Sequence, residues 1–323
     1  MNRTQQKDLK KYLLGVKENI LLSDFTSYKI GGPAKYFFVA KNLDDLIRAL
    51  RVASEFRIPV FILGGGSNLL VSDKGFNGLV IKISISQIEI KGKKAYVGAG
   101  VNLTKTAYAL AEKGLSGLEW AAGIPGATVG GAIYGHAQAF GDRISDVVKS
   151  VQAVNLETLK TVELSKEQCK FSLKNSIFKK GKNLVIISAI LEFKKKTPVK
   201  VKEKIKENLK YRKSRHPLKF PSAGSSFVNP ETKVKNKNLL IKFPELVQYN
   251  ERGLIPAGYL ITKCGLAGKK IGNAQISQMH ANFIINLGVA KAKDVLKLLV
   301  LAKKKVKNKF GISLEQEVQM VGF

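Results

Sequence analysis

No stretch of the 323-residue chain approaches the roughly 18 consecutive apolar residues of a membrane span, so no membrane insertion is expected. Its first residues, MNRTQQKDLKKYLLGVKENI, lack the apolar core and small-residue cleavage site of a secretory signal, which makes the cytoplasm the expected compartment. Cysteine occurs twice, as Cys169 and Cys264, in no CxxC or ligand-spaced pattern; these read as buried thiols, and no metal site is expected. Acidic residues are scarce, 24 against 55 basic ones, for a formal charge of +31. Such an excess ordinarily points to nucleic acid or a membrane surface. Arginine, however, accounts for only eight of the basic residues. Specific readers of nucleic acid lean on arginine and on aromatic stacking, and neither coincides with the clusters KKGK (179–182) and KKKVKNK (303–309). A solvated lysine surface that attracts anionic small molecules is expected, with no specific nucleic-acid partner. Internal repeats and long low-complexity tracts are also missing.

What is present is the material of an ordinary globular protein: 45% apolar residues and length for about two or three domains. Residues 1–20 read as a polar helix with an apolar stripe of Leu9, Tyr12, Leu13 and Val16. KYFFVA (35–40), LDDLIRALRVASEF (43–56) and PVFIL (59–63) then form a strand, helix and strand. GLVIKI (78–83), short strands over 87–98 and a helix from Leu103 to Lys113 follow. VQAVNL, KTVELS and LVIISAILEF make a β-rich stretch, and a lysine-rich helix over 199–213 is a natural connector. Beyond it come a helix opening at PAGYLITKCG (256–265), a strand at ANFIINL (281–287), a helix from Lys293 to Asn308 and a last strand, SLEQEVQMVG (313–322). The fold class is α+β with three lobes.

Three segments carry chemistry. GGGSNLL starts at the carboxyl end of an apolar strand, where Gly64, Gly65 and Gly66 let the backbone approach a ligand. The amides that follow, with Ser67, Asn68 and Leu69, can form an anion nest. This is neither GxGxxG nor a P-loop, since no GK[ST] follows. A second glycine block, GIPGATVGG (123–131), offers another close backbone approach, and two such loops suit an elongated ligand with a pyrophosphate at its middle. The third segment, PSAGSSFVNP (221–230), is poor in charge and rich in turn-formers, yet it displays two adjacent hydroxyls, Ser225 and Ser226, beside a Phe227 that must pack.

TSYKIGGPA, GGGSNLLVSD, GLEWAAGIPG, TVGGA, NSIF, PSAGSSFVNP, PAGYLI, GLAGKKIGNAQIS, HANFI and LEQEV run in order from about residue 20 to the C-terminus. Together they resemble the UDP-N-acetylenolpyruvoylglucosamine reductase (MurB) family, in its shorter form without an inserted tyrosine loop. The glycine block alone would indicate only the broader flavin-binding fold of the vanillyl-alcohol-oxidase/PCMH type. The resemblance implies a two-lobed FAD-binding domain of that type over 21–198, with lobes of about 21–84 and 85–198. A C-terminal α+β substrate-binding domain would occupy 199–323, after an N-terminal helical segment, 1–20. It also implies non-covalently held FAD, NADPH as co-substrate and a UDP-sugar as substrate, in peptidoglycan synthesis. FAD contacts fall on Gly64, Gly65, Gly66, Ser67, Asn68, Leu69, Gly126, Thr128, Gly130 and Gly131.

The family's proton-donating serine falls on Ser225, with Ser226 at a variable position, and its glutamate on Glu317. Asn229 matches the asparagine that holds the substrate, and Tyr211, Lys213 and Arg215 approach the same motif. His280 is the family's usual residue, though one histidine beside a strand is more often a packed side chain. Departures are specific. FSLKNSIF (171–178) puts Leu173 for the family's tyrosine and Lys174 for its catalytic arginine, which keeps the charge and loses the bidentate fork. GHAQAFG puts His136 for an asparagine and Gln138 for a glycine. They keep two other readings open: a different FAD oxidoreductase on this fold, and a catalytically weakened flavoprotein or polyanion-binding protein.

Overall fold

Aromatic and aliphatic residues crowd PAKYFFVA, and this octapeptide is the strand Pro33–Ala40 at the heart of a four-stranded sheet. The computed structural model describes residues 9–181 and 183–323. Pro33–Ala40 pairs in parallel with Phe76–Ile83, which pairs in parallel with Val60–Leu63. Parallel strands need a crossover, and helix Leu43–Glu55 is part of it. Asn42 starts the helix by accepting the Asp45 N–H, and Leu46, Ala49, Leu50 and Ala53 form its buried face. Lys17–Leu21 closes the outer edge, antiparallel to Pro33–Ala40.

The helix expected over residues 1–20 is thereby corrected. Among the described residues it covers only 9–12, since Gly15 takes a left-handed φ of 87° and Lys17–Leu21 is an edge strand. Leu9 and Leu13 of the expected stripe are buried, whereas Tyr12 is 58% exposed; residues 1–8 lie outside the described residues.

A second, five-stranded sheet is antiparallel throughout, in the order Thr161–Ser165, Val148–Asn155, Leu184–Glu192, Lys94–Gly98, Ile88–Lys91. One hydrophobic core joins both sheets, with Tyr36, Ile81, Val97, Trp120 and Val151 among its members. These elements make a first compact unit comprising the described residues up to Leu21, Pro33–Gly66 and Phe76–Arg212.

The second unit comprises Leu22–Gly32, Ser67–Gly75 and Lys213–Phe323. Its antiparallel sheet runs Ser222–Ser225, Phe283–Asn286, Ala274–Ile276, Lys270–Ile271. Helix Ala292–Phe310 buries Val295, Leu298, Leu299, Ala302 and Val306 at helical spacing and stops at Gly311, whose φ is 73°. The last strand is shorter than expected: Gln319–Val321, in parallel with Leu69–Val71. The preceding residues 313–318 are not part of it because their backbone is bonded elsewhere, Glu315 O accepting the Val228 N–H at 2.9 Å and Phe227 bridging to Gln316. Two helices not expected from the sequence, Lys237–Lys242 and Glu245–Arg252, follow the serine loop. Among the described residues no helix is long and apolar enough to cross a membrane, no group of three or more His, Cys, Asp or Glu could hold a metal, and both cysteines are free.

Candidate active site

In the first unit, strand Val60–Leu63 delivers Gly64 at its carboxyl end. A Cβ on Gly65 would lie 1.8 Å from Gly126 O and 3.2 Å from Ala127 Cα, so the two glycine loops meet backbone against backbone. The Lys82 ammonium donates to Gly64 O, and burial lowers its pKa. Because the described residues contain no cis peptide bond, the Gly65 N–H points away from the carbonyl that Lys82 holds. The N–H groups of Gly65, Ala127 and Thr128 find no backbone acceptor among the described residues. Such a donor-rich cradle, with no side chain at Gly64, Gly65 or Gly126, suits the pyrophosphate of a dinucleotide. Thr128 caps helix Val129–Tyr134 by accepting the Gly131 N–H at 3.3 Å. Gly130 is needed for packing: its Cβ would lie 2.7 Å from that of Ala99. Gly131 is exposed.

Lys174 lies in the same unit, in a left-handed conformation with φ 53°, on a turn closed by reciprocal 3.0 Å bonds between Ser172 and Asn175. Lys179 Nζ donates to Lys174 O at 2.9 Å, and Ser176 Oγ to Tyr134 O at 2.7 Å, which fastens the turn to the end of the glycine-block helix. Tyr211 is exposed and meets the Phe140 ring edge-on at 5.3 Å. Its neighbour Arg212, which the sequence did not single out, is buried and donates to Trp120 O at 2.8 Å, with its charge 5.1 Å from the Phe140 ring centre.

The serine loop belongs to the second unit. Gly224, at φ 77°, permits the register shift between the pairs Ser222–Ile285 and Ser225–Phe283. Asn282, buried, then clamps the chain. Its backbone O accepts the Ser226 N–H at 2.7 Å, its Oδ1 accepts the Phe227 N–H at 3.0 Å, and its Nδ2 donates to Phe227 O at 2.8 Å. The adjacent serines are therefore unlike: Ser226 is 3% exposed, while Ser225 is only half-buried.

Glu317, also half-buried, donates its N–H to Ser226 O at 2.9 Å, and its carbonyl accepts Asn68 Nδ2 at 3.1 Å. A hydroxyl and a carboxyl group thus issue from one backbone joint. Asn68 is engaged twice, since its carbonyl also accepts the Gln319 N–H at 3.0 Å, and Leu69 is buried in the parallel pair. Asn229 Oδ1 accepts the Ala257 N–H at 3.0 Å on an exposed side chain. Lys213 and Arg215 are exposed. His280 is a packed ring: Nδ1 accepts the Asn282 N–H at 3.3 Å, His216 and Phe283 meet it edge-on 5.6 and 4.9 Å away, and burial lowers its pKa.

The structure groups Ser225, Glu317, Asn229, Ser67, Asn68, Leu69, Lys213 and Arg215 in one unit. Gly64, Gly65, Gly66, Gly126, Thr128, Gly130, Gly131, Lys174 and Tyr211 are in the other. Lys82 and Asn282 escaped notice at the sequence level. The only signals were a lysine inside an apolar strand and an asparagine between Ala281 and Phe283.

Residues 216–321 match the family described as UDP-N-acetylenolpyruvoylglucosamine reductase, C-terminal domain, and residues 34–165 match an FAD binding domain. The chain is 39% identical to the UDP-N-acetylenolpyruvoylglucosamine reductase of Anoxybacillus flavithermus, over 95% of its own length and 94% of the relative's. It is 37% identical, over the same shares, to that of Bacillus subtilis. Its fold is similar to the crystal structure of UDP-N-acetylenolpyruvylglucosamine reductase from Thermus caldophilus, with TM-score 0.75 and 31% identity over 94% of this chain and 98% of that one.

Proposed function

Because the chain belongs to the UDP-N-acetylenolpyruvoylglucosamine reductase family, we propose that it reduces the enolpyruvyl ether of UDP-N-acetylglucosamine to UDP-N-acetylmuramate, with NADPH as reductant, in peptidoglycan precursor synthesis. It is an FAD-dependent oxidoreductase. When bound, FAD supplies a ring that takes hydride from NADPH and gives it to the substrate. In this reading residues 21–198 hold the flavin and 199–323 the substrate. In this reading the enzyme works in the cytoplasm.

Hydride addition at the substrate's methylene carbon leaves electron density on the adjoining carbon and its carboxylate. The protein must then supply a cation for the carboxylate and a proton for the carbon. Lys174 is assigned the first role, Ser225 the second, and Glu317 polarises or protonates the enolpyruvyl group. The observation that carries this assignment is the joint at Ser226, where a half-buried hydroxyl and a half-buried carboxyl group are held on adjoining backbone. Asn229, Tyr211, Lys213 and Arg215 serve the nucleotide-sugar.

An anaerobic titration tests the function. The purified protein should be yellow, bleach with NADPH, and recover its colour on adding the enolpyruvyl sugar nucleotide; acid should release all flavin into the supernatant. Recovery with oxygen alone, or flavin left on the precipitate, would point to a different oxidoreductase. For Lys174, replacement by methionine should leave bleaching by NADPH unchanged and slow recolouring by substrate on the order of a hundredfold, the scale of one lost electrostatic contact to a developing charge. Unchanged recolouring in Lys174→Met would remove the lysine from the chemistry.

A further inference from the structure

Two of the positions at which the chain departs from its family's pattern meet in one hydrogen-bonded cluster. His136 follows helix Val129–Tyr134, takes a left-handed φ of 47°, and is only 4% exposed. Its Nδ1 lies 2.5 Å from Ser172 O and its Nε2 2.8 Å from Ser145 Oγ, and the ring packs on Phe171 at 4.9 Å. A carbonyl only accepts, so Nδ1 carries the proton. In the neutral ring Nε2 then accepts from the Ser145 hydroxyl. Ser172 is one leg of the turn whose other leg is Asn175, with Lys174 between them.

We infer that His136, as the neutral Nδ1–H tautomer, is a positioning residue that fixes the Ser172 carbonyl and so sets the place of Lys174, making the substrate half-reaction sensitive to acid. The inference rests on the proposed role of Lys174. The groups that face the ring agree with it. Burial is the main reason that the imidazole pKa is lowered from 6.5; the Ser172 carbonyl and Asp146 favour the cation, while Arg143 and Lys174 repel it. Protonation keeps the Nδ1–H bond to Ser172 but puts a second N–H where the Ser145 hydroxyl now donates and a positive charge near Lys174, so acid acts on Lys174 through that repulsion and the lost Ser145 bond. The sign follows. The neutral arrangement is complete above pH 6.5 and is lost as the pH falls through a value below it.

The test uses the flavin-loaded protein. With 15N-histidine labelling at neutral pH, one of the three imidazoles should show a protonated Nδ1 and an unprotonated Nε2, and that signal should vanish in His136→Gln. An Nε2–H tautomer or an imidazolium at this position would overturn the inference. In stopped-flow measurements His136→Ala should slow recolouring by substrate about tenfold, the scale of a buried hydrogen bond lost, with NADPH bleaching unchanged. His136→Gln, which can still donate an amide N–H, should restore most of the rate and abolish the acid limb of the recolouring profile. An acid limb that persists in His136→Gln would overturn the inference even if His136→Ala does not fold. If Lys174→Met has no effect on recolouring, the role of Lys174 fails; if it does and His136→Gln keeps the wild-type pH profile, the role of His136 alone fails.

Discussion

Gly65→Ala is expected to abolish FAD retention and to lower the thermal midpoint. The new Cβ would sit 1.8 Å from the backbone oxygen of Gly126, about half of a comfortable carbon–oxygen separation, and no flexible side chain stands between them. One loop or the other would have to move by more than an ångström. Leu63, one residue before the first loop, is held in the parallel sheet, and Thr128 anchors the second. Overpacking of this kind costs about 1–3 kcal/mol or more, and here it falls on the surface assigned to the pyrophosphate. The measurement is the flavin-to-protein ratio after gel filtration together with the melting midpoint. Gly135→Ala is the control, because its Cβ would meet Gly131 O at an ordinary 3.5 Å; it should stay yellow. A Gly65→Ala protein with a full complement of flavin would mean that the loop contact is dispensable and that FAD is held elsewhere.

Ser225→Ala should separate the two half-reactions. Bleaching by NADPH is expected to proceed at nearly the wild-type rate, while recolouring by the enolpyruvyl substrate slows on the order of a hundredfold or more, the scale of a lost general acid. A serine hydroxyl is a poor acid in water, so it serves only where the site stabilises the developing alkoxide or relays a proton to it. The bond from Glu317 N–H to the next residue's carbonyl fixes the segment that carries the serine. Ser226→Ala should affect recolouring far less. That side chain is buried, and the residue's backbone groups, which hold Asn282 and Glu317, survive the substitution. Stopped-flow traces of both variants decide the matter. Equal losses at Ser225 and Ser226, or a loss confined to the NADPH step, would make the segment a structural turn.

The contrast between these two serines marks how far the sequence reaches. Their adjacency and the flanking Gly224 were visible in PSAGSSFVNP, and the resemblance selected Ser225. That Ser226 is buried while Ser225 is only half-buried became visible only with Asn282, 55 positions beyond Phe227, whose three hydrogen bonds hold Ser226 and Phe227. The terminal strand shows the same limit. LEQEV alternates like a strand, yet tertiary bonding to Ser226 and Val228 draws Glu315 and Glu317 out of the ladder and leaves only Gln319–Val321 in it. Nor does local pattern tell a lysine on the surface from one like Lys82, whose ammonium is turned onto Gly64.

The sequence by itself determined the α+β class, the two glycine loops and the serine motif, because hydrophobic period, backbone freedom and motif order are local properties. The family name followed from the order of those motifs. Tertiary structure alone decided that Gly65 and Gly126 touch, that Asn68 holds Glu317, and that His136 bonds the turn that carries Lys174. Each of these joins residues tens to hundreds of positions apart through a single hydrogen bond or a missing Cβ, and such contacts leave no periodicity in the chain for a reader to find.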